Sequence, residues 1–214
     1  MIPPVFARLK RAASRVRWNV VWDTYDVFVR DVVPEDAAFE APDGYRFDWG
    51  TAEEVLGFEA YHTELDATDR RHGAERLGLD HRLVVGRSDT GDAVFTMWVN
   101  PRNLNVPHFV KRRLGPHQVF IYKAYTSPDH RGRKLYQAGM RFVLADLAQR
   151  GLSQLVGYAA VTKTVSRAGL SRLAFRSAGT FKGYGYRRPF VVRTSRALVE
   201  SFPEAVPRTG LDLT

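Results

Sequence analysis

Two features of the 214-residue sequence predict an α/β domain: a strand–turn–helix unit over residues 119–147, and strand-type and helix-type segments alternating on either side of it. Residues 119–126, VFIYKAYT, are rich in β-branched and aromatic side chains and read as a strand. Ser127, Pro128 and Asp129 stop it, because proline cannot continue a central strand. Leu135, Ala138, Phe142 and Ala145 then recur at helical spacing, and Gly151 after Arg150 marks the stop. Between strand and helix lies a basic turn, Arg131, Gly132, Arg133 and Lys134. The first N–H groups of such a helix lack internal partners and sit at the positive end of its dipole, which suits a phosphate.

Around this unit the elements follow in order. Residues 4–20 form a basic amphipathic stretch, in which Phe6, Leu9, Ala13, Val16 and Val20 can share a helical face. It reads either as an interfacial helix on an anionic membrane or partner, or as a helix packed on its own domain. Residues 31–44 are acidic, contain two prolines and read as a linker. A first strand is expected at 45–49. Thr51 and Glu54 then form a capping box that opens a helix to about Thr63, and a second short helix is expected at 69–77. Strands at 82–86 and 93–99 flank the turn residues 88–92 as a hairpin. Residues 101–116 read as an irregular polar loop with the charge run Lys111, Arg112, Arg113. A buried-type strand at 155–161, a helix at 166–178 ended by Gly179, and strand from 181 to 194 complete the chain. The domain organisation expected is an extension over 1–44, a domain over 45–196 and a tail over 197–214.

Hydrophobic residues make up 44% and charged residues 26%, as in ordinary globular chains. No apolar run reaches the roughly 18 residues needed to span a membrane. The arginine-studded start lacks the uninterrupted apolar core of a secretory signal. Cysteine is absent, which removes disulfides, thiol nucleophiles and thiolate metal sites and fits a cytoplasmic location. The six histidines show no metal-ligand spacing, so no metal is expected. Walker, Gly-x-Ser-x-Gly and His-Glu-x-x-His patterns are also missing. The formal net charge of +9 is sorted: −6 over residues 1–100 and +15 over residues 101–214. A second half this basic suits a polyanionic partner.

The turn Arg131, Gly132, Arg133, Lys134, Leu135, Tyr136, with Pro128 upstream, resembles the acyl-CoA-binding motif of the GNAT superfamily of N-acyltransferases. That motif reads Arg/Gln-x-x-Gly-x-Gly/Ala and opens a helix just after a strand. Lys134 and Tyr136 stand where the motif has small residues. The order strand, helix, helix, three strands, helix, strand, helix, strand over 45–194 matches the same family. The resemblance implies a mixed, mostly antiparallel central sheet flanked by helices, with acetyl-CoA or another acyl-CoA as co-substrate. The backbone of Ala124, Tyr125 and Thr126 would pair with the pantetheine arm. The N–H groups from Gly132 to Tyr136 would hold the pyrophosphate, with charge from Arg131, Arg133 and Lys134, and an N–H near Tyr125 or Thr126 would polarise the acyl carbonyl. Ser171 falls on the serine of the family's Asn-x-x-Ser. Ala168, Thr180 and Phe175 replace the asparagine, the phenylalanine and the tyrosine general acid usual in the family.

Candidate acid–base residues are Tyr122, Tyr125 and Glu64, with His62, Tyr184 and Tyr186 as further possibilities. The expected activity is acyl transfer from acyl-CoA to an amine on a small acceptor, and the basic second half suggests an anionic one. Alternatives are a non-catalytic module of the same fold that binds acyl-CoA or a partner, an acyltransferase acting on an RNA-linked amine, and RNA binding through Lys182 to Tyr186. The RNA-binding motif fails at Arg187 and Pro189, and a nucleic-acid partner is not expected.

Overall fold

The computed structural model describes residues 20–51, 53–54, 73, 75–106, 109–186 and 188–207. Its longest strand, β1 (Val20–Asp31), lies inside the sheet and not at its edge. The other strands are β2 (Tyr45–Trp49), β3 (Arg82–Ser88), β4 (Ala93–Asn100), β5 (Asn103–Val106), β6 (Val110–Arg113), β7 (Gln118–Thr126), β8 (Gln154–Ala160), β9 (Arg176–Tyr186) and β10 (Arg188–Thr194). The helices are α1 (Leu135–Gln149), α2 (Thr164–Arg172) and α3 (Arg196–Ser201). Eight strands form one sheet in the order β10–β9–β1–β8–β7–β4–β3–β2, and β5 and β6 pair separately. Every neighbouring pair is antiparallel except β7 and β8.

The sheet therefore begins at Val20, upstream of the expected first strand at Tyr45. β1 bridges β9 and β8, with Tyr25 opposite both Phe181 and Ala160. Side chains alternate along it: Tyr25, Val27 and Val29 join the core on one face, while Phe28 packs on the other. The expected linker is also packed. Pro34–Ala37 forms a 3-10 turn, Arg30 pairs with Asp36 at 2.6 Å, and the Phe39 ring meets Phe142 of α1 edge-on at 5.5 Å. Of the basic stretch 4–20, only Val20 falls within the described residues.

Each face of the sheet has its own apolar cluster. α1 covers one face through Leu135, Ala138, Val143, Leu144 and Leu147, against Phe95, Met97 and Ile121. Arg82 fastens β3 to that helix by its ion pair with Asp146 at 2.8 Å. Residues 101–116, expected as irregular loop, contain the β5–β6 hairpin. Its Leu104, Val106, Phe109 and Val110 cover the opposite face. Arg112 of the charge run donates to the carbonyls of Phe202 and Pro203, so it anchors the C-terminal segment.

The capping box forms as expected: Thr51 N–H donates to Glu54 Oε2 at 2.8 Å, and Glu54 N–H to Thr51 Oγ1 at 3.4 Å. Residues 53–54, 73 and 75–78 are helical; the other residues of the two expected helices after Thr51 lie outside the described residues. The later helix is shorter than expected. α2 ends at Arg172, Ala174 takes a left-handed turn at φ +58°, and residues 176–178 already belong to β9. Gly179 sits within β9 at φ +131°, where the register with β1 shifts, and does not end the helix. Ser195 caps α3 and its Oγ also accepts from Thr180 N–H at 2.9 Å, tying this helix to β9.

Candidate active site

β7 and β8 run parallel and pair at just three positions, from Gln118 opposite Gln154 to Phe120 opposite Val156. Gln118 Nε2 donates to Gln154 Oε1 at 2.7 Å, and Gln154 Nε2 donates to Asp31 Oδ1 at 2.6 Å, clamping the closed end. Past Phe120 the two strands separate. β7 stays paired with β4 and β8 with β1, so the edges that face each other bound a cleft of about 490 Å³. Its sides are Ile121 to Ala124 of β7 and Gly157 to Ala160 of β8. Tyr136 of α1, Tyr25 of β1, and Lys163, Val165 and Ser166 at the start of α2 close it in.

A β-bulge shapes the β7 side. Thr96 faces Tyr125 and Trp98 faces Tyr122, so Lys123 and Ala124 together oppose Met97. Lys123 takes φ +49° to accommodate the extra residue. A bulge interrupts the ladder locally and re-aims the backbone beside a site. It also puts the side chains of Tyr122 and Tyr125 on one face, although three residues apart in a regular strand point to opposite faces. Ala124 and Thr126 line the cleft. The Tyr125 side chain is instead buried in the core opposite α1, which removes it from the acid–base candidates.

Beyond Thr126 the chain makes a 3-10 turn at Pro128–His130, held to β2 by the contact of Tyr45 Oη with His130 Nδ1 at 3.0 Å. Arg131 Nε donates back to the Thr126 carbonyl at 3.2 Å. Gly132 has φ +81° and Lys134 φ +61°, two left-handed positions that wind the turn into α1. A Cβ at Gly132 would meet nothing within 4 Å, so this conformation lies beside open space. The first helical bond is Ala138 N–H to the Lys134 carbonyl, which leaves the N–H groups of Leu135, Tyr136 and Gln137 ahead of any helical acceptor. Arg131, Arg133 and Lys134 are exposed around them. Backbone donors, a dipole end and three cations thus converge at one mouth of the cleft, a combination that suits a pyrophosphate.

Four phenols line the cleft, and burial shifts three of them. Burial pushes the Tyr136 hydroxyl up to about 12, with the neighbouring Tyr158 adding to it. Burial raises Tyr158 as well. Tyr25 is raised to about 12 by burial, then by Asp23, to which its hydroxyl is hydrogen-bonded, and by Tyr158. All three keep their protons at neutral pH. The Tyr136 ring lies against α2, where a Cβ on Gly169 would come within 3.0 Å of it. Tyr122 also lines the cleft, but its hydroxyl is 2.6 Å from Nδ1 of buried His81.

Of the residues expected from the sequence, the structure brings Tyr122, Ala124, Thr126 and Tyr136 to the cleft; Arg131 to Lys134 are exposed on the turn between Thr126 and Tyr136, and the Leu135 side chain is buried in the core. Ser171 is exposed at the far end of α2, and the cleft meets that helix at Val165 and Ser166. Phe175 is buried in the core under α1. Tyr184 lies on β9, next but one to β8, and does not line the cleft; Tyr186 falls at the end of the same strand. Glu64 and His62 lie outside the described residues. Tyr25 and Tyr158 were missed, since their importance depends on which strands flank the gap. Among the described residues no group of three or more His, Asp or Glu side chains could hold a metal, and no helix is long and apolar enough to cross a membrane.

By sequence, no protein-family model and no curated protein matches the chain. Solved structures do. A GCN5-related N-acetyltransferase from Sphaerobacter thermophilus superposes with a TM-score of 0.55 at 15% identity, covering 85% of this chain and 58% of that one. The GCN5-related glucosamine N-acetyltransferase region of a fungal multi-domain β-N-acetylglucosaminidase gives 0.55 at 15% identity, covering 81% and 22%. A tandem GNAT protein from the clavulanic acid biosynthesis pathway gives 0.50 at 16% identity, covering 76% and 53%. The chain spans less than two thirds of the length of each of these proteins. At these identities the likeness establishes the fold.

Proposed function

Given a chain with the GNAT fold, we propose that it transfers an acyl group from acyl-CoA, acetyl-CoA in the simplest case, to an amine on a small acceptor. The observation that carries this reading is the continuity of the cleft with the basic turn. β7 forms one side of the cleft and leads directly into the Gly132–Tyr136 donors. A polyanionic head at the turn would therefore extend a linear, amide-bearing arm between two strand edges, which offer backbone groups to match it.

The amine nitrogen attacks the thioester carbonyl carbon, a C–N bond forms and the C–S bond breaks. Holding the two reactants side by side supplies several kcal/mol of the barrier. The backbone at the Lys123–Ala124 bulge is aimed out of the ladder and is the candidate donor to the carbonyl oxygen as it gains charge. Tyr136 and Tyr158 serve as hydrogen-bond donors to the departing sulfur. Full proton transfer from a phenol near 12 to a thiolate whose conjugate acid is near 8.5 is uphill by roughly 5 kcal/mol, so the thiol takes its final proton from the attacking amine by way of water.

Two measurements on the purified chain test this. Acetyl-CoA at 100 times its Kd should stabilise the fold by about 2.7 kcal/mol in thermal denaturation, and a primary amine should release free thiol from it. Stabilisation without thiol release would leave an acyl-CoA-binding module. No stabilisation by any acyl-CoA would refute the reading.

A further inference from the structure

A second cavity, of about 300 Å³, lies on the α1 face of the sheet, between the 3-10 turn Pro34–Ala37, α1 and the end of α2. Its buried apolar lining is Leu144 of α1 and Leu173. Three guanidinium groups line it: Arg30 of β1, Arg141 of α1 and Arg172, the last residue of α2. It shares no lining residue with the cleft between β7 and β8.

The three arginines are not equivalent. Arg30 belongs to the frame. Its Nη1 and Nη2 donate to the two carboxylate oxygens of Asp36 at 2.6 and 2.9 Å, and its Nε donates to the Leu173 carbonyl at 2.9 Å. Asp36 is occupied in turn, since Val33 N–H also donates to its Oδ2 at 2.9 Å. Arg30 thus ties β1, the 3-10 turn and the end of α2 together around the cavity. Arg141 and Arg172 are exposed, and neither has a hydrogen-bond or ion-pair partner for its side chain among the described residues. Neighbouring arginines do have one. Arg82 and Arg150 share Asp146, Arg167 pairs with Asp26, and Arg176 pairs with Asp31. The two that lack an acid line one cavity. Of its two carboxylates, Asp36 is committed to Arg30, which leaves Glu35.

We propose that this cavity binds a phosphate dianion between Arg141 and Arg172, at a site separate from the turn that opens α1. A guanidinium is a planar fork that matches two oxygens of an oxyanion at once. A carboxylate has two oxygens and is satisfied by one fork. A phosphate offers three and shares them between two forks on different helices. The cavity also leaves space for a small group carrying the phosphate. A ligand held this way braces α1 against α2, the helices that supply Tyr136, Val165 and Ser166 to the cleft. Its binding does not depend on acyl transfer.

The experiment is titration calorimetry at pH 7.5 on the full chain carrying Arg131→Gln and Arg133→Gln, which removes the competing cations of the turn. The probes are inorganic phosphate, glycerol 3-phosphate and succinate. Phosphate or its ester is expected to bind, and adding Arg141→Gln with Arg172→Gln should weaken that binding at least about 10-fold, as for lost hydrogen bonds to a charged group. Glu35→Gln should tighten it roughly 2- to 5-fold, the opposite sign, because an exposed like charge is removed. Circular dichroism checks that each variant folds. Tighter binding of glycerol 3-phosphate would assign the site to a phosphate ester, and equal binding to free phosphate. Binding that survives the loss of both arginines, or no binding of either phosphate, would overturn the site. Succinate binding as tightly as phosphate would overturn the ligand class.

Discussion

The Tyr122 hydroxyl lies 2.6 Å from Nδ1 of His81, a contact that joins β7 to the residue preceding β3. His81 is held near 4, well below its ordinary value of 6.5, by burial first and then by the Arg76 and Arg102 guanidinium groups. Its folded state therefore resists protonation that the unfolded chain accepts. Between pH 6.5 and 4 the unfolded state binds more protons, so stability falls as pH is lowered through that window. The loss from this one group is roughly 3 kcal/mol by pH 4. Denaturation midpoints recorded from pH 7.5 to 4 should show it, and His81→Asn should flatten the slope. An unchanged slope would remove His81 as its source. At neutral pH, Tyr122→Phe should cost about 1–3 kcal/mol, because it leaves the buried imidazole without its partner.

Arg131→Glu combined with Gly132→Asp should abolish acetyl-CoA binding and leave the fold intact. Both residues are exposed, and Gly132 borders open space. The substitutions put two carboxylates where a pyrophosphate would sit, and aspartate must also adopt φ +81° there. Titration calorimetry checks binding, and circular dichroism checks the fold. Retained binding would dissociate the turn from the acyl donor.

Tyr158→Phe should lower kcat about 10- to 100-fold, as expected for a lost hydrogen bond to a charged group, with little change in acetyl-CoA affinity. Because burial raises this hydroxyl above the ordinary tyrosine value, and holds Tyr136 near 12, the wild-type rate should show no alkaline loss from these phenols through neutral and mildly alkaline pH. Phe175→Tyr should give no gain in rate, since that side chain is enclosed in the core under α1. A rate rise in that variant would show that position 175 reaches the reaction.

Gly179→Ala should destabilise the domain by roughly 1–3 kcal/mol. An added Cβ would come within 2.5 Å of Leu198 N and 2.6 Å of Ser195 Oγ, and the backbone sits at φ +131°. Both effects act where β9 meets α3, so urea denaturation should report them with the same m-value.

The β7–turn–α1 unit was legible in the sequence because its signals are local. β-branched and aromatic residues, Pro128, Gly132 and a helical apolar period sit side by side. The Thr51–Glu54 cap and the 88–92 hairpin were legible for the same reason. β1 was not, because its hydrogen-bonding partners lie more than a hundred residues away, and its basic preface favours a helical reading. The Lys123 bulge was hidden because a lysine, not a glycine, carries the positive φ. α2 was read too long because its apolar spacing runs on into β9 through Leu173 and Phe175. Tyr158 gains its meaning from where β7 and β8 part, which is a property of the sheet and of no single segment.

The position of β1 sets an order of events during folding. Tyr25 must pair with Ala160 and with Phe181, residues made 135 and 156 positions later. While the ribosome is still extending the chain, this apolar strand has neither neighbour, so it remains a sticky, unsatisfied segment until β8 and β9 emerge. Contacts at such separations slow folding and prolong exposure to aggregation. The strand that supplies Tyr25 to the cleft is thus the first of the described strands to be synthesised and among the last to be secured, so the site assembles late in folding.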